Sequence, residues 1–568
     1  MKRIFISTIL MLSLAFAAGA QNMYDGHTMS RNNYYGTARS VALGNAVTAL
    51  GGDLGSVTFN PAGSAVNSYW QFTVTPGLLF SGVKTAYAAD GVNFADPIKE
   101  NHTKFVMPNI GLMMVFETYD SDWLNWATFG VVANTTNNYL SYSTARGTNS
   151  STSYLGNLAA GAAGVAPNDM GRLLWTGYDA NQFGEYGAEG SNRYAGSNER
   201  VNERETYSYV PGTLDQASAL NTYGSKTDIA WNFAFNVQDS FYFGFNLGTP
   251  TLRYSRQEVF SESAQQPSAF PIIFTSKDKD GTELREATNY LSSTNGYRYN
   301  ASGVGIYGQF GIIYLPTKNL RLGASFQSPT LYSINEEWRY TASTSFEDRK
   351  FNGSAMSSLG EASYSLRTPY IVDAGIAWTA PGLGLLSVDY EMTDYSVIKY
   401  SDADRYGYHL DDGWAQLNHV NRTFGGLSHS LRAGLEVKPI PELALRAGYS
   451  FVTSPEKYWL DERGTVITAE TVGFKGETDV FDQNLVSGHY FKDLTHAFSF
   501  GIGYSSPGSF FADLAVRTTS YPVQNYAPYY YGAYDAKDNA GRSLGVGAPL
   551  ETIKRGVWDV LVTIGWRL

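Results

Sequence analysis

From Tyr69 to the last residue the chain alternates between apolar and polar or small side chains. In Leu494–Ser505 the even positions are Leu494, His496, Phe498, Phe500, Ile502 and Tyr504, and the odd ones are Thr495, Ala497, Ser499, Gly501, Gly503 and Ser505. Asp228–Gln238 puts Ile229, Trp231, Phe233, Phe235 and Val237 on one face, and Phe241–Tyr254 continues with Phe241, Phe243, Phe245 and Leu247. The final stretch sets Trp558, Val560, Val562, Ile564, Trp566 and Leu568 against Asp559, Thr563, Gly565 and Arg567. A period of two is the signature of a strand with two unlike faces, and segments of about 9–11 residues have the length of a tilted membrane strand. About fourteen such segments can be read, an even number as in bacterial barrels. The fold expected is all-β, a transmembrane antiparallel barrel.

The connections fall into two classes. Tyr119–Asp122, Asp239-Ser240, Pro316–Asn319, Pro381–Gly384, Pro439–Pro441 and Ser506–Gly508 are short and carry turn residues. Tyr87–Lys104, Arg146–Lys226, Ser261–Ala301, Ser333–Arg367, Lys399–Leu427, Thr453–Asp493 and Pro522–Arg555 are long. Short periplasmic turns and long extracellular loops are the arrangement of outer-membrane barrels, and an even count puts both termini in the periplasm. Phe241, Tyr314, Trp378, Tyr504, Phe510 and Trp566 fall beside the short turns, where an aromatic girdle belongs. A soluble two-sheet sandwich would share the alternation but would leave the alternating loop lengths unexplained.

One stretch breaks the period. In Ala38–Gly63, Val41, Leu43, Val47 and Leu50 recur at helical spacing until Gly51-Gly52, and Asn60-Pro61 makes a corner. It is too rich in small residues for a membrane helix, so it is expected to be a small helical hatch, a plug in the lumen. Before it, Lys2-Arg3, the apolar run Ile4–Phe16 and Ala18-Gly19-Ala20 have the form of a cleaved export signal, with Gln21 the expected mature start. The expected organisation is a signal over Met1–Ala20, a hatch over Gln21–Asn67, with Gln21–Tyr35 irregular, and a barrel with long loops over Ser68–Leu568.

Composition agrees. Of 568 residues, 15% are aromatic and 16% charged, with 58 Gly. Mean hydropathy is only −0.24, because lipid-facing and lumen-facing residues average out. There is no Cys, which removes disulfides, thiolate metal sites, a Cys nucleophile and a lipid anchor on Cys. A net charge of −11 argues against nucleic acid as a partner. Lumen-side positions are often Gly, leaving space for water, a plug or a ligand, and the charges among them (Arg321, Asp373, Asp389, Glu391, Arg432, Glu436, Arg446, Asp513, Arg517, Asp559, Arg567) are expected either to clamp the plug or to pair with one another. Ile313, Ile371, Phe511 and Leu561 interrupt that face, a mixture that suits a hydrophobic substrate better than a water-filled pore.

Ala38–Gly63 resembles the hatch region of the FadL/TodX family of outer-membrane transporters for hydrophobic molecules, most densely in ALGNAVTALGGD and at Asn60-Pro61-Ala62. Asn319–Thr330 (NLRLGASFQSPT), TPYIVDAGIAW and LSVDYEMTDYSVIKY resemble later strands of that family. The resemblance implies a fourteen-stranded barrel closed by a hatch whose motif is Asn60, Pro61, Ala62 and Gly63. It implies passive uptake of long-chain fatty-acid-like ligands through an outer capture site, an inner site and a lateral gap at a kinked strand. It places the protein in the outer membrane of a Gram-negative bacterium, with membrane lipid and the barrel-assembly machinery as partners and no cofactor. The loop Arg146–Lys226 and the terminal Trp566-Arg567-Leu568 depart from the family pattern.

Asn134, Thr135 and Thr136 interrupt the alternation of the third strand and are the candidate kink, an ordinary bulge being the alternative. Leu173, Leu174 and Trp175, with Leu155–Ala166, are candidates for the outer capture surface, the alternative being packing onto the rim. Gly303–Gly308 fits G-x-G-x-x-G but lies inside a strand, and Ser276–Gly281 lacks the glutamate of a calcium loop. His409, His419 and His489 fall in loops and would be the haem contacts of a haem receptor; an adhesion barrel working through its loops is the other alternative. No catalytic constellation is present, so no enzyme, lipase-like or otherwise, is expected.

Overall fold

The structure is a computed structural model that describes residues 23–89, 92–118, 123–277, 279–280, 283–402, 412–460, 466–467, 486–487, 494–529, 536–546 and 549–568. The expected signal, the turn Tyr119–Asp122, His409 and His489 lie wholly or mostly outside these residues.

Fourteen antiparallel staves close into a barrel. In order they are Gln71–Ala89, Val92–Glu117, Leu124–Asn138 with Ser141–Asn149, Leu214–Val237, Phe241–Gly248 with Thr251–Ala264, Glu283–Tyr314 and Leu320–Gln327 with Leu331–Phe346. There follow Gly360–Arg367 with Ile371–Ala380, Gly384–Asp394 with Lys399–Asp402, Leu427–Ile440, Leu443–Thr453, Leu494–Ser505, Phe510–Ser520 and Leu550–Arg567. Closure is made by the first and last, in register from Gln71↔Arg567 to Ala88↔Leu550. The wall is apolar on the outside: Phe233, Phe235, Phe243, Phe245 and Leu247 are exposed while Asn232, Asn236 and Asn246 are fully buried. That is the inverse of a sandwich core, and such a belt has lipid for its solvent. All six girdle aromatics are exposed beside the short turns, Trp378 most at 53%.

Three of the connections expected to be loops are strand. Tyr87–Lys104 is the paired end of a hairpin (Val83↔Glu100, Tyr87↔Phe94), and most of Ser261–Ala301 and Ser333–Arg367 continues the staves (Ser263↔Ser292, Ala342↔Asn295). Leu214–Lys226, placed in the longest loop, is strand as well. Above the belt the outer face of a stave turns polar, as at Ser333, Asn335 and Glu337, while Ile334 and Trp338 stay buried inside, so pairing goes on after the apolar outer face has ended.

The hatch fills the bore. Almost every side chain from Ala38 to Ala65 is buried. The helix covers only Ala38–Ala42 rather than running on to Leu50, because Gly44 and Asn45 turn left-handed at φ 63° and 61° where the chain meets the wall backbone at Tyr449. Leu54–Thr58 and Pro61–Val66 are short 3-10 turns. Met23–Ser30, expected to be irregular, is a helix, and Gly26 lies against Tyr400 and Ile398 in the long-loop half. The plug therefore reaches far up the lumen, while Leu568 pairs with Trp70 at the short-turn end. This first described helix lies in the long-loop half of the lumen.

The inward glycines are the seat of the plug. A Cβ on Gly244 or Gly311 would collide with Asn60, Pro61 or Ala62, on Gly323 with Thr48 and Ala49, on Gly434 or Gly448 with Leu43 or Gly44, and on Gly501 with Ala42. Gly311→Ala is expected to unseat the Asn60 corner at a cost of about 1–3 kcal/mol. Gly308→Ala, whose new Cβ meets nothing nearer than Phe245 at 3.6 Å, should be silent. Thermal unfolding followed by heat-modifiable gel mobility distinguishes the two.

Candidate functional site: the plug, the break in the wall and the cavity between them

The plug has little regular structure, so its carbonyls and amides need partners from the wall. Asn60 caps the turn that Pro61 begins: its Oδ1 accepts from Ala62 N at 3.1 Å, and its Nδ2 donates to Thr48 O at 2.8 Å and to Ile312 O of the wall at 2.9 Å. Pro61 offers its carbonyl to Asn232 Nδ2 at 3.0 Å. Gly63 lies against Gly51, whose φ of 62° and lack of a side chain let the two backbones touch. Further along, Asn246 Nδ2 donates to Val57 O (2.8 Å), Gln309 Nε2 to Thr58 O (3.1 Å) and Ser325 Oγ to Phe59 O (2.6 Å).

The lumen charges both clamp the plug and pair with one another. Arg517 Nη1 donates to Tyr34 O at 2.7 Å while its Nε reaches Asp559 Oδ2 at 2.9 Å. Arg321 Nη1 holds Leu50 O at 2.7 Å, and Asp389 Oδ2 accepts from Thr48 N at 2.6 Å. Arg446–Glu436 (2.7 Å) and Arg432–Asp373 (3.3 Å) are ion pairs within the wall, and Arg39 of the plug joins Glu436 at 3.5 Å.

Asn134, Thr135 and Thr136 lie where the wall comes apart. The stave Val92–Glu117 pairs with Leu124–Asn138 only from Asn109↔Asn134 to Glu117↔Trp126. On the other side the register slips between Thr135 and Asn137, and Ser141–Asn149 pairs with Leu214–Thr222 alone. Among the described residues Val92–Pro108 therefore has no hydrogen-bonded strand on that edge, where Ser141–Asn149 meets it through side chains alone (Thr144 Oγ1 to Glu100 Oε1, 2.9 Å; His102 stacked on Tyr142). The freed carbonyls of Thr136 and Thr135 accept from Asn33 N (2.7 Å) and Tyr35 N (2.9 Å) of the plug. Asn134 stays inside, accepting from Asn109 Nδ2 at 2.7 Å.

Directly above the hatch lies a small cavity of about 30 Å³, open on one side to solvent. Its floor includes Tyr34 and Thr58 of the plug, and its side includes Thr136. Lys226 and Asp228, which no motif in the sequence singles out, also line it. Lys226 Nζ donates to the carbonyls of Met29, Ser30 and Arg31 at 3.1, 3.0 and 2.8 Å, capping the C-terminal end of the plug helix. The signal available in the sequence was a Lys and an Asp two apart at the head of a stave whose later inward positions, Ala230, Asn232, Ala234 and Asn236, carry no charge. Pro250, Pro369 and Thr330 sit in the breaks that divide three staves, and the lining here is largely polar.

Outside the belt the loop after Asn149 folds into a crown. Leu155, Leu158, Ala159 and Ala162 are buried in it, and Leu155 packs on Leu214, Tyr290 and Phe346 of the staves, the packing alternative for Leu155–Ala166. Leu173 and Leu174 pack against that same cluster, while Trp175, on the helix Arg172–Asp179, is 42% exposed. The crown is tied to the staves by Glu262, which accepts from Tyr154 N (2.9 Å), Gln216 Nε2 (2.6 Å) and Asn198 Nδ2 (3.0 Å). Burial pushes this carboxyl up to about 7 despite those hydrogen bonds. His419 contacts Arg422 at 3.1 Å. Among the described residues no group of metal-ligating side chains is present.

Several solved structures are similar to this chain along nearly its whole length. The P. putida toluene transporter TodX is 12% identical, covering 95% of this chain and 99% of its own, with a TM-score of 0.44. A Pseudomonas aeruginosa FadL homologue is 12% identical over 94% of this chain and 98% of its own, with a TM-score of 0.47. The Ralstonia pickettii toluene transporter TbuX is 11% identical over 95% of this chain and 100% of its own, with a TM-score of 0.44. No family model and no curated protein matches the chain.

Two predictions follow from this geometry. Asn60→Ala strips the cap and leaves Thr48 O and Ile312 O without that donor, a loss of about 1–3 kcal/mol for each buried group left unpaired. The plug should then become cleavable by protease in the intact barrel, with the wall unchanged. For Glu262, a folded pKa above the unfolded value means that the unfolded chain ionises first. Crown stability should therefore fall as pH rises from about 4.5 to about 7 and level off above it. Proteolysis of the crown against pH measures this, and Glu262→Gln should flatten the profile.

Proposed function

We propose that the protein is a passive transporter of hydrophobic or amphipathic small molecules, in the outer membrane of a Gram-negative bacterium, and not an enzyme. The observation that carries the reading is that Thr136 belongs at once to the cavity, to the break in the wall and to the segment hydrogen-bonded to the plug. A molecule held in the cavity thus sits on the plug and beside the one edge of the second stave that lacks a hydrogen-bonded strand. Ligand meets the crown near Trp175, passes to the cavity, and leaves sideways into lipid past Thr135 and Thr136 when the plug segment Asn33–Tyr35 lets go. The body of the ligand is a long apolar chain of the fatty-acid kind. Toluene transporters among the similar structures are consistent with an apolar cargo.

Thr136 is the extra residue of the slipped register, so deleting it should let the third stave run straight and heal the break. Uptake of a labelled long-chain amphiphile by cells expressing this variant should fall about tenfold, a barrier increase of about 1.4 kcal/mol, with assembly of the barrel unchanged. Unchanged uptake would refute lateral exit. Absence of uptake by the wild-type protein would refute transport.

A further inference from the structure

Asp228 lines the cavity and holds an unmet acceptor. Tyr307 Oη donates to its Oδ2, while Oδ1, buried with the rest of the side chain, has no hydrogen-bond partner. Lys226 lines the same cavity but spends its ammonium on the three plug carbonyls rather than on Asp228. A buried carboxylate oxygen left bare is costly, and the group that relieves it must bring a proton donor.

Three kinds of amphiphile are distinguished by this arrangement. A carboxylate head would set a second anion against an oxygen that already lacks a donor. An ammonium head would share the cavity with the buried Lys226 cation. A plain hydrocarbon would leave Oδ1 unpaired. A neutral hydroxyl donates one hydrogen bond to Oδ1 and brings no charge, and Thr330 lines the same space with a hydroxyl able to meet a lone pair.

We propose that the cavity selects neutral hydroxylated amphiphiles, long-chain alcohols or alkylphenols, through a hydrogen bond from the ligand hydroxyl to Asp228 Oδ1. This rests on the reading of the cavity as the inner site of the passage, and it selects the head group of the cargo.

The test uses the full chain in lipid nanodiscs with four probes of equal chain length: 1-decanol, decanoate, decylamine and decane. Binding is read by native mass spectrometry and by competition. Decanol should bind at least about tenfold more tightly than each of the others, as expected where a site has a buried polar group to satisfy. Asp228→Val should bring decanol down to the level of decane, and Asp228→Asn should narrow the gap between decanol and decanoate. If decanoate, decylamine or decane matches decanol on the wild-type protein, the assignment is overturned. A decanol preference that survives in Asp228→Val overturns it equally. Should that variant fail to fold, the wild-type ranking decides alone. Failure of all four probes to bind would instead remove the inner site itself, and the assignment with it.

Discussion

An irregular chain inside a closed barrel cannot satisfy its own backbone, and the rest of this structure depends on how that is met. The wall strands bond one another, so their main chain spares little for the plug beyond the Ile312 carbonyl that Asn60 reaches. The plug must take its partners from inward side chains, or from a place where the wall has been taken apart. Both occur here. Asn232, Asn246, Gln309, Ser325, Arg321 and Arg517 each reach a plug carbonyl. Glycines between them let the backbones come close enough for those short side chains to reach. A buried polar group without a partner is costly, which explains why the inward face is rich in amides and glycine rather than evenly charged.

The break in the third stave obeys the same constraint. Once the register slips beyond Asn134, Thr135 and Thr136 lose a neighbour on the second stave, and Asn33 and Tyr35 of the plug take its place. The plug is thus part of the wall at the point where the wall is incomplete. Displacing it does two things at once: it clears the bore below the cavity and bares the edge beside it. A polar cavity with one unpaired carboxylate oxygen, set between these two elements, is where an amphiphile's head has most to gain.

Much of this was legible in the sequence. The staves inside the belt alternate because lipid lies on one side and the plug on the other, so Asp228–Gln238 and Leu494–Ser505 could be read directly. The hatch stood out because its period differs, and Asn60-Pro61 marked its corner. The upper staves were not read as strands: in Ser333–Phe346 the outer face is polar and the apolar side chains, Ile334, Trp338 and Phe346, point inward, the reverse of the pattern in the belt. The length of the helix that begins at Ala38 was overread, since Leu43–Leu50 has helical spacing but Gly44 and Asn45 take left-handed backbone to fit the wall. Leu155–Ala166 left free apolar surface and packing both open because the sequence does not show that the crown folds over it. Lys226 and Asp228 escaped notice because their importance comes from what the tertiary fold brings opposite them.

The most direct test is hydrogen–deuterium exchange of the full chain in a lipid bilayer, with Ala38–Val66 compared against the wall strands. If wall side chains hold the plug as described, its amides should exchange as slowly as those of the staves around it. Exchange of that segment within seconds, with the barrel itself protected, would contradict the account.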